Sequence, residues 1–143
     1  MTATAEEIIS ACESEWDEHK ADCSGFVKAV AARLHVPLHG MANDIVNAVS
    51  QPPWSQLSDG VAAEASAAAG RFVVAGLRGS DQAHPSEHGH IVVIVRGTLD
   101  RGRYPTAYWG QLGGIGRKAA TINFAWNPQD RDRVIYAATE ATI

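Results

Sequence analysis

The spacing of apolar residues changes near Gly70, and this change constrains the fold more than any other feature of the sequence. Before Gly70, apolar residues recur every three or four positions, as in Ile8, Cys12 and Trp16, which is typical of amphipathic helices. After Gly70, runs rich in β-branched residues follow, such as His90–Arg96, which is typical of strands. This order predicts an α+β fold in which N-terminal helices pack on a mostly antiparallel sheet.

Helix-start and helix-stop residues define the predicted elements. Thr4 and Glu7 have the spacing of a capping box, and glycine is common just after a helix end. Five helices are predicted. The first spans about Ala5–Glu18, the second begins at Cys23 and ends at Pro37, and the third contains Met41, Ile45 and Val49. The fourth spans residues 61–69 and is followed by Gly70, and the fifth spans about Asp130–Thr139. The predicted strands are Arg71–Leu77, His90–Arg96, Tyr104–Gly110 and Thr121–Trp126.

Length and composition predict one globular domain spanning residues 1–143, since 45% of the residues are hydrophobic and 20% are charged. The net charge of −4, without a block of basic residues, argues against nucleic acid and anionic membranes as main partners. No apolar run reaches the roughly 18 residues of a membrane span, so we expect no membrane insertion. The N-terminus lacks the basic and apolar regions of a signal peptide, so we expect synthesis in the cytoplasm without one.

A cysteine at a predicted helix start and a histidine on a predicted strand form the candidate catalytic pair. Asp22 suits the helix N-cap, and Cys23 shares the inward face of its helix with Phe26 and Val27. Unpaired N–H groups and the positive end of the helix dipole favour a thiolate at such a position. A thiol needs a nearby base to act as a nucleophile near neutral pH, and His90 is the predicted base because it heads the apolar strand.

Other interpretations of the cysteines and histidines stay open at this point. Cys12 lies on the apolar stripe of the first helix and is expected to be a buried hydrophobic residue, although a Cys12–Cys23 disulfide would abolish the nucleophile. Four neighbouring residues could bind zinc, but their spacing matches no common zinc motif. These residues are His84, Glu87, His88 and His90. We expect neither a metal nor another cofactor.

An ordered set of motifs resembles a known family. Asp22-Cys23-Ser24-Gly25-Phe26, followed by Gly89-His90 on a strand, resembles the NlpC/P60 cysteine peptidases of the papain-like superfamily. Within that superfamily, the chain is similar to the first family of type VI secretion amidase effectors. The similarity spans about Cys12 to Tyr136 and includes His35-Val36-Pro37, Val74–Leu77, Tyr104-Pro105, Trp126-Asn127 and Asp130–Arg133.

The resemblance implies a papain-like NlpC/P60 fold and a peptidoglycan amidase that one bacterium injects into the periplasm of a competitor. It implies cleavage between the γ-carboxyl group of D-glutamate and meso-diaminopimelate in the stem peptide, with Cys23 as nucleophile and His90 as base. It further implies delivery by the type VI secretion apparatus and a cognate immunity protein that occludes the active site. Asp22 and Ser24 flank the nucleophile and could either hold the stem peptide or act as helix cap and first-turn donor.

The chain departs from the family pattern at the group that orients the histidine, which is commonly a polar side chain on the next strand. The candidates are Gln111, Asn123 and a main-chain carbonyl near Trp109, of which the carbonyl is favoured because the neighbouring aromatic residues suggest a packed wall. The loop Gly79–Gly89 looks longer than in relatives and is expected to narrow the groove. The alternative functions are a papain-like acyltransferase, another amide hydrolase with the same pair, or a non-catalytic binding module with a degenerate site.

Overall fold

The computed structural model describes residues 1–143 as four α-helices and one six-stranded sheet. The helices are α1 (Ala5–His19), α2 (Cys23–Arg33), α3 (Ala42–Val49) and α4 (Gly60–Ala68). The strands are β1 (Ser55–Leu57), β2 (Phe72–Leu77), β3 (His90–Ile94), β4 (Thr106–Trp109), β5 (Arg117–Thr121) and β6 (Ile135–Thr139). Two single-turn 3₁₀-helices, Gly79–Asp81 and Ile122–Phe124, lie between strands.

Every strand pair is antiparallel, and the spatial order is β1-β6-β2-β3-β4-β5. The two central strands, β2 and β3, pair Leu77 with His90 and Gly76 with Ile91. All residues of these two strands are buried because both faces of the sheet are covered. Helices α1, α2 and α3 pack on one face, and α4 packs on the other. The predicted α+β fold is therefore confirmed.

The predicted ends of the first and fourth helices agree with the structure to within one residue, whereas α2 ends at Arg33, before Pro37, and α3 begins after Met41. Thr4 and Glu7 form the expected capping box, with the Glu7 N–H donating to Thr4 Oγ1 at 3.2 Å and the Thr4 N–H donating to Glu7 Oε1 at 2.9 Å. Gly70 follows α4 with a φ of +88°, a left-handed conformation that glycine adopts without steric cost. None of the helices has the length and apolar character needed to cross a membrane.

The predicted helix at Asp130–Thr139 is wrong. Residues 128–133 form turns, and β6 is a strand between β1 and β2. Ala137 and Ala138 are fully buried, the first in the core under α1–α3 and the second in the core under α4. Alanine has the highest intrinsic helix propensity, but here its small side chain fills a strand that is covered on both faces.

The predicted strand at Thr121–Trp126 is also wrong. The strand β5 ends at Thr121, and the N–H groups of Ala125 and Trp126 both donate to the Ile122 carbonyl, at 2.8 and 3.0 Å, which closes a turn. Because β5 is an edge strand whose first three residues are exposed, no apolar alternation marks it in the sequence. The three-residue edge strand β1 was not predicted either.

Gly110 lies where the end of β4 meets the turn between α1 and α2. A Cβ atom at Gly110 would overlap the carbonyl oxygens of His19 and Asp22. We expect Gly110→Ala to lower the free energy of unfolding by about 2 kcal/mol, because these backbone atoms cannot move aside as a flexible side chain can. Urea unfolding measures this difference.

Gly114→Ala is the matched control for this substitution. A Cβ atom at Gly114 would approach only the Gln111 side chain, at 3.6 Å. We expect it to change the free energy of unfolding by less than about 0.5 kcal/mol. Equal stabilities of the two variants would contradict the close approach of β4 to this turn.

Candidate active site

Cys23 is the first residue of α2, and the cap of this helix fixes its position. The Asp22 carboxylate accepts a hydrogen bond from the Gly25 N–H at 3.1 Å, as an N-cap residue does. Phe26 and Val27 are fully buried in the core between this helix and the sheet, so they fix how the helix is rotated. The Cys23 side chain consequently lies on the inward side of the first turn and is only 7% exposed.

The surroundings of Cys23 favour the protonated thiol. Burial raises the pKa of the thiol above its usual value, and the Asp22 carboxylate adds to the increase. The nearby backbone N–H groups of Ile91, Ser24 and Cys23 itself lower the pKa of the thiol, but they do not offset the effect of burial. Cys23 therefore needs a base to become a nucleophile.

His90 is the first residue of β3, where a central strand holds it rigidly. Its side chain lies on the sheet face opposite α2, and its ring packs edge-on against Trp126 and Trp109, with centroids 5.1 and 6.5 Å away. Burial lowers the pKa of the imidazole from 6.5 to about 4. The ring is therefore neutral at pH 7, which is the protonation state that a general base requires.

The two side chains line one groove, which a smaller and a larger adjoining cavity form. Cys23 lines both cavities, and His90 lines the larger one. The other residues that line the smaller cavity are mainly Asp22, Ser24, Met41, Asn43, Glu87 and His88. Those that line the larger cavity are mainly Gln82, Gln111, Leu112, Trp126, Asn127 and Asp130. A substrate that fills the groove would thus extend to both sides of the thiol.

Asp22 and Ser24 line the smaller cavity and also contact each other. Ser24 Oγ donates to Asp22 Oδ1 at 3.3 Å and lies 3.7 Å from Met41 Sδ. Asp22 Oδ1 also accepts the capping bond from Gly25, whereas Asp22 Oδ2 accepts no hydrogen bond within the protein. The helix-capping role of Asp22 is confirmed, and its position also leaves one oxygen free for a substrate.

No predicted group orients the His90 ring by a hydrogen bond. His90 Nε2 is buried without a hydrogen-bond partner. The Trp109 carbonyl accepts a hydrogen bond from Trp16 Nε1 at 3.0 Å, not from His90. Asn123 Oδ1 is buried and has no hydrogen-bond partner. Gln111 lines the groove but forms no hydrogen bond with the His90 ring. The predicted hydrogen bond from His90 to a main-chain carbonyl near Trp109 is therefore not formed, and the ring instead packs between Trp109 and Trp126.

The loop Gly79–Gly89 forms one wall of the groove, and two residues that sequence reasoning missed fasten it. Asn43 Nδ2 donates to the Glu87 carbonyl at 2.9 Å, and Asn43 Oδ1 accepts from the Gly79 N–H at 3.0 Å. The buried Asp130 accepts from the Ala83 N–H at 2.8 Å. These contacts link residues more than 30 positions apart, so no local sequence signal could have revealed them.

The alternative interpretations of the cysteines and histidines gain no support from the geometry. Both Cys12 and Cys23 are free thiols. The four possible zinc ligands do not converge, since no cluster of metal-binding side chains includes His84, Glu87, His88 or His90. The one cluster of metal-binding side chains is Glu15, Glu18 and His19, all contributed by α1.

The lowered pKa of His90 makes stability depend on pH. Between pH 6.5 and about 4, the unfolded chain binds a proton at this residue and the folded chain does not, so stability falls as the pH falls. We expect His90 to account for about 2 kcal/mol of the stability that is lost between pH 7 and pH 5. Urea unfolding at the two pH values measures this loss.

His90→Gln removes the titrating group. Between pH 7 and pH 5, we therefore expect the variant to lose about 2 kcal/mol less stability than the wild type loses. His84→Gln, which replaces an exposed histidine, serves as the control and should follow the wild type. The same pH dependence in His90→Gln and in the wild type would show that His90 is not buried in its neutral form.

Comparison with known proteins places the chain in a family. No family model matches it. The chain is 37% identical over 140 residues to the peptidoglycan amidase Tse1 of Pseudomonas aeruginosa, and this similarity covers 90% of the chain and 86% of that protein. The chain therefore belongs to the family of peptidoglycan amidases that includes Tse1, the first family of type VI secretion amidase effectors.

Proposed function

We propose that this peptidoglycan amidase hydrolyses the amide bond between the γ-carboxyl group of D-glutamate and meso-diaminopimelate in stem peptides, with Cys23 as nucleophile and His90 as base. The observation that carries the proposal is that both side chains line one groove, the thiol from a capped helix start and the imidazole from a central strand. Residues 1–143 would act as one amidase domain. The reaction requires no metal or other cofactor.

In the first proposed step, the neutral imidazole of His90 takes the proton of the Cys23 thiol while the sulfur attacks the scissile carbonyl carbon. A C–S bond forms, and the π electrons of the carbonyl move to its oxygen. The Cys23 N–H lies at the helix start, where no intrahelical acceptor exists, so it can donate to this oxyanion. A donor of this kind contributes about 3–4 kcal/mol to transition-state stabilisation.

In the following steps, the imidazolium gives its proton to the nitrogen of diaminopimelate, and the C–N bond breaks. This leaves a thioester between Cys23 and the γ-carboxyl group of D-glutamate. His90 then takes a proton from water, and the resulting hydroxide attacks the thioester. The Cys23 thiolate leaves and takes the proton back from His90. The low pKa of His90 suits the proton transfer to the diaminopimelate nitrogen, because the buried ring readily gives its proton away.

Charge in the groove supports diaminopimelate as part of the substrate. Three acidic side chains line the groove, namely Asp22, Glu87 and Asp130. Diaminopimelate carries an ammonium group, for which a carboxylate is a suitable partner. We propose that Asp22, through its free Oδ2, and Ser24 hold the stem peptide beside Cys23.

We further propose that the type VI secretion apparatus delivers the protein into the periplasm of a recipient cell, and that a cognate immunity protein protects the producer. Family membership supports both proposals. Two apolar side chains at the rim of the groove, Met41 and Leu112, are 55% and 53% exposed. An immunity protein that covers them would bury apolar surface and close the access to Cys23 at the same time.

Cys23→Ala should abolish cleavage, because it removes the sulfur that forms the thioester. We expect wild-type protein to release peptides with a new N-terminal diaminopimelate from diaminopimelate-type sacculi, and mass spectrometry of the muropeptides identifies the bond that is cut. Cys12→Ala is the matched control, since it removes the other thiol, which is fully buried away from the groove. It should give the wild-type products.

Different results would contradict different parts of the proposal. Sacculi that stay intact with wild-type protein would contradict the amidase activity of the chain. Cleavage at another amide bond would retain the chemistry of Cys23 and reject the assigned bond. Activity that survives in Cys23→Ala would show that the nucleophile lies elsewhere.

A further inference from the structure

A second cavity, distinct from the groove, lies on the sheet face that α4 covers. It is lined mainly by Arg103, Tyr104, Arg131, Asp132 and Tyr136, and we call it the Arg131 cavity. The turn at residues 128–133 separates it from the groove. Asp130 lines the groove and the next residue, Arg131, lines this cavity, so the two sites are neighbours.

The Arg131 cavity contains two arginines and two aspartates, but Arg131 is not paired with either aspartate. Asp132 Oδ1 accepts a hydrogen bond from the Tyr104 hydroxyl at 2.9 Å and forms an ion pair with Arg103 at 3.2 Å. The other acid at the cavity, Asp59, caps α4 by accepting from the Ala62 N–H at 2.9 Å. Arg131 forms no ion pair and no side-chain hydrogen bond, and its Nε is buried without a partner.

The Arg131 guanidinium is nevertheless held in place. It lies over the ring of Tyr104 at 4.8 Å from the centroid, and the Arg103 guanidinium also lies over this ring at 5.4 Å. Tyr104 is only 3% exposed, so it forms a fixed platform. A positioned guanidinium whose donors lack protein acceptors is suited to bind a planar anion such as a carboxylate.

We propose that the Arg131 cavity binds a carboxylate of the peptidoglycan outside the stem-peptide segment that is cleaved in the groove. The inference rests on the proposed function, because the substrate it invokes is the peptidoglycan polymer. Stem peptides repeat along that polymer and carry free carboxylates, so one strand can place a carboxylate at each of two neighbouring sites. Simultaneous contact would raise affinity for sacculi over affinity for a single short peptide.

Binding is tested in the full chain that carries Cys23→Ala, so that sacculi stay intact during co-sedimentation. Addition of Arg131→Met should weaken binding to sacculi about tenfold, the effect of losing one charge-assisted hydrogen bond. Arg133→Met is the matched control: it removes an equal charge two residues away, from an exposed side chain that donates to the Gln129 carbonyl at 3.1 Å. Equal binding of the two variants would overturn the proposal, and would also be the result if the cavity served an acidic protein partner.

The carboxylates are also tested by a change in the ligand. Sacculi whose carboxyl groups have been converted to amides should bind the Arg131→Met and Arg133→Met proteins equally. A difference that persists on amidated sacculi would overturn the assignment of a carboxylate.

A kinetic comparison separates this inference from the proposed function. In the chain with Cys23 intact, Arg131→Met should lower kcat/KM for sacculi about tenfold more than kcat/KM for a soluble tripeptide. Equal losses on both substrates would overturn the second site while leaving the amidase assignment in place. Wild-type protein that cleaves neither substrate would instead contradict the proposed function.

Discussion

The packing of the first turn of α2 against β3 is the contact on which the candidate site depends. Phe26 and Val27 are fully buried on the helix side, and Ile91 and Val93 face them from the strand. This packing brings the Cys23 sulfur to the N–H of Ile91, the residue that follows His90. The backbone of one strand therefore lies beside the proposed nucleophile, and the adjacent side chain of the same strand is the proposed base.

Burial sets the resting chemistry of this pair. It raises the pKa of Cys23 and lowers that of His90 to about 4, so both groups are uncharged near neutral pH. In the proposed mechanism, a proton moves from sulfur to nitrogen only when charge develops on the substrate, and the helix-start N–H groups stabilise that charge. The rigidity of His90 comes from aromatic packing, because no hydrogen bond reaches its Nε2.

The parts of the fold that depend on local signals could be predicted from the sequence. The capping box at Thr4, the N-cap at Asp22 and the glycine after α4 each act within a few residues, and the structure confirms all three. The run of β-branched residues after His90 likewise indicates a strand, whatever its neighbours are.

The remaining features depend on tertiary contacts that no local pattern encodes. The segment containing Ala137 and Ala138 is a strand because two packed layers need small residues there, although its local preference is helical. Similarly, the Trp109 carbonyl accepts a hydrogen bond from Trp16, which lies 93 residues earlier in the chain, and no local pattern could reveal this contact.

The central claim is that Cys23 forms a thioester with the γ-carboxyl group of D-glutamate. Rapid acid quenching of wild-type protein with a soluble stem peptide, followed by mass spectrometry of the digested chain, tests this claim most directly. We expect the mass of the acyl fragment on the peptide that contains Cys23, and none on the peptide that contains Cys12. Substrate turnover without any adduct on Cys23, or with an adduct on another residue, would contradict the account.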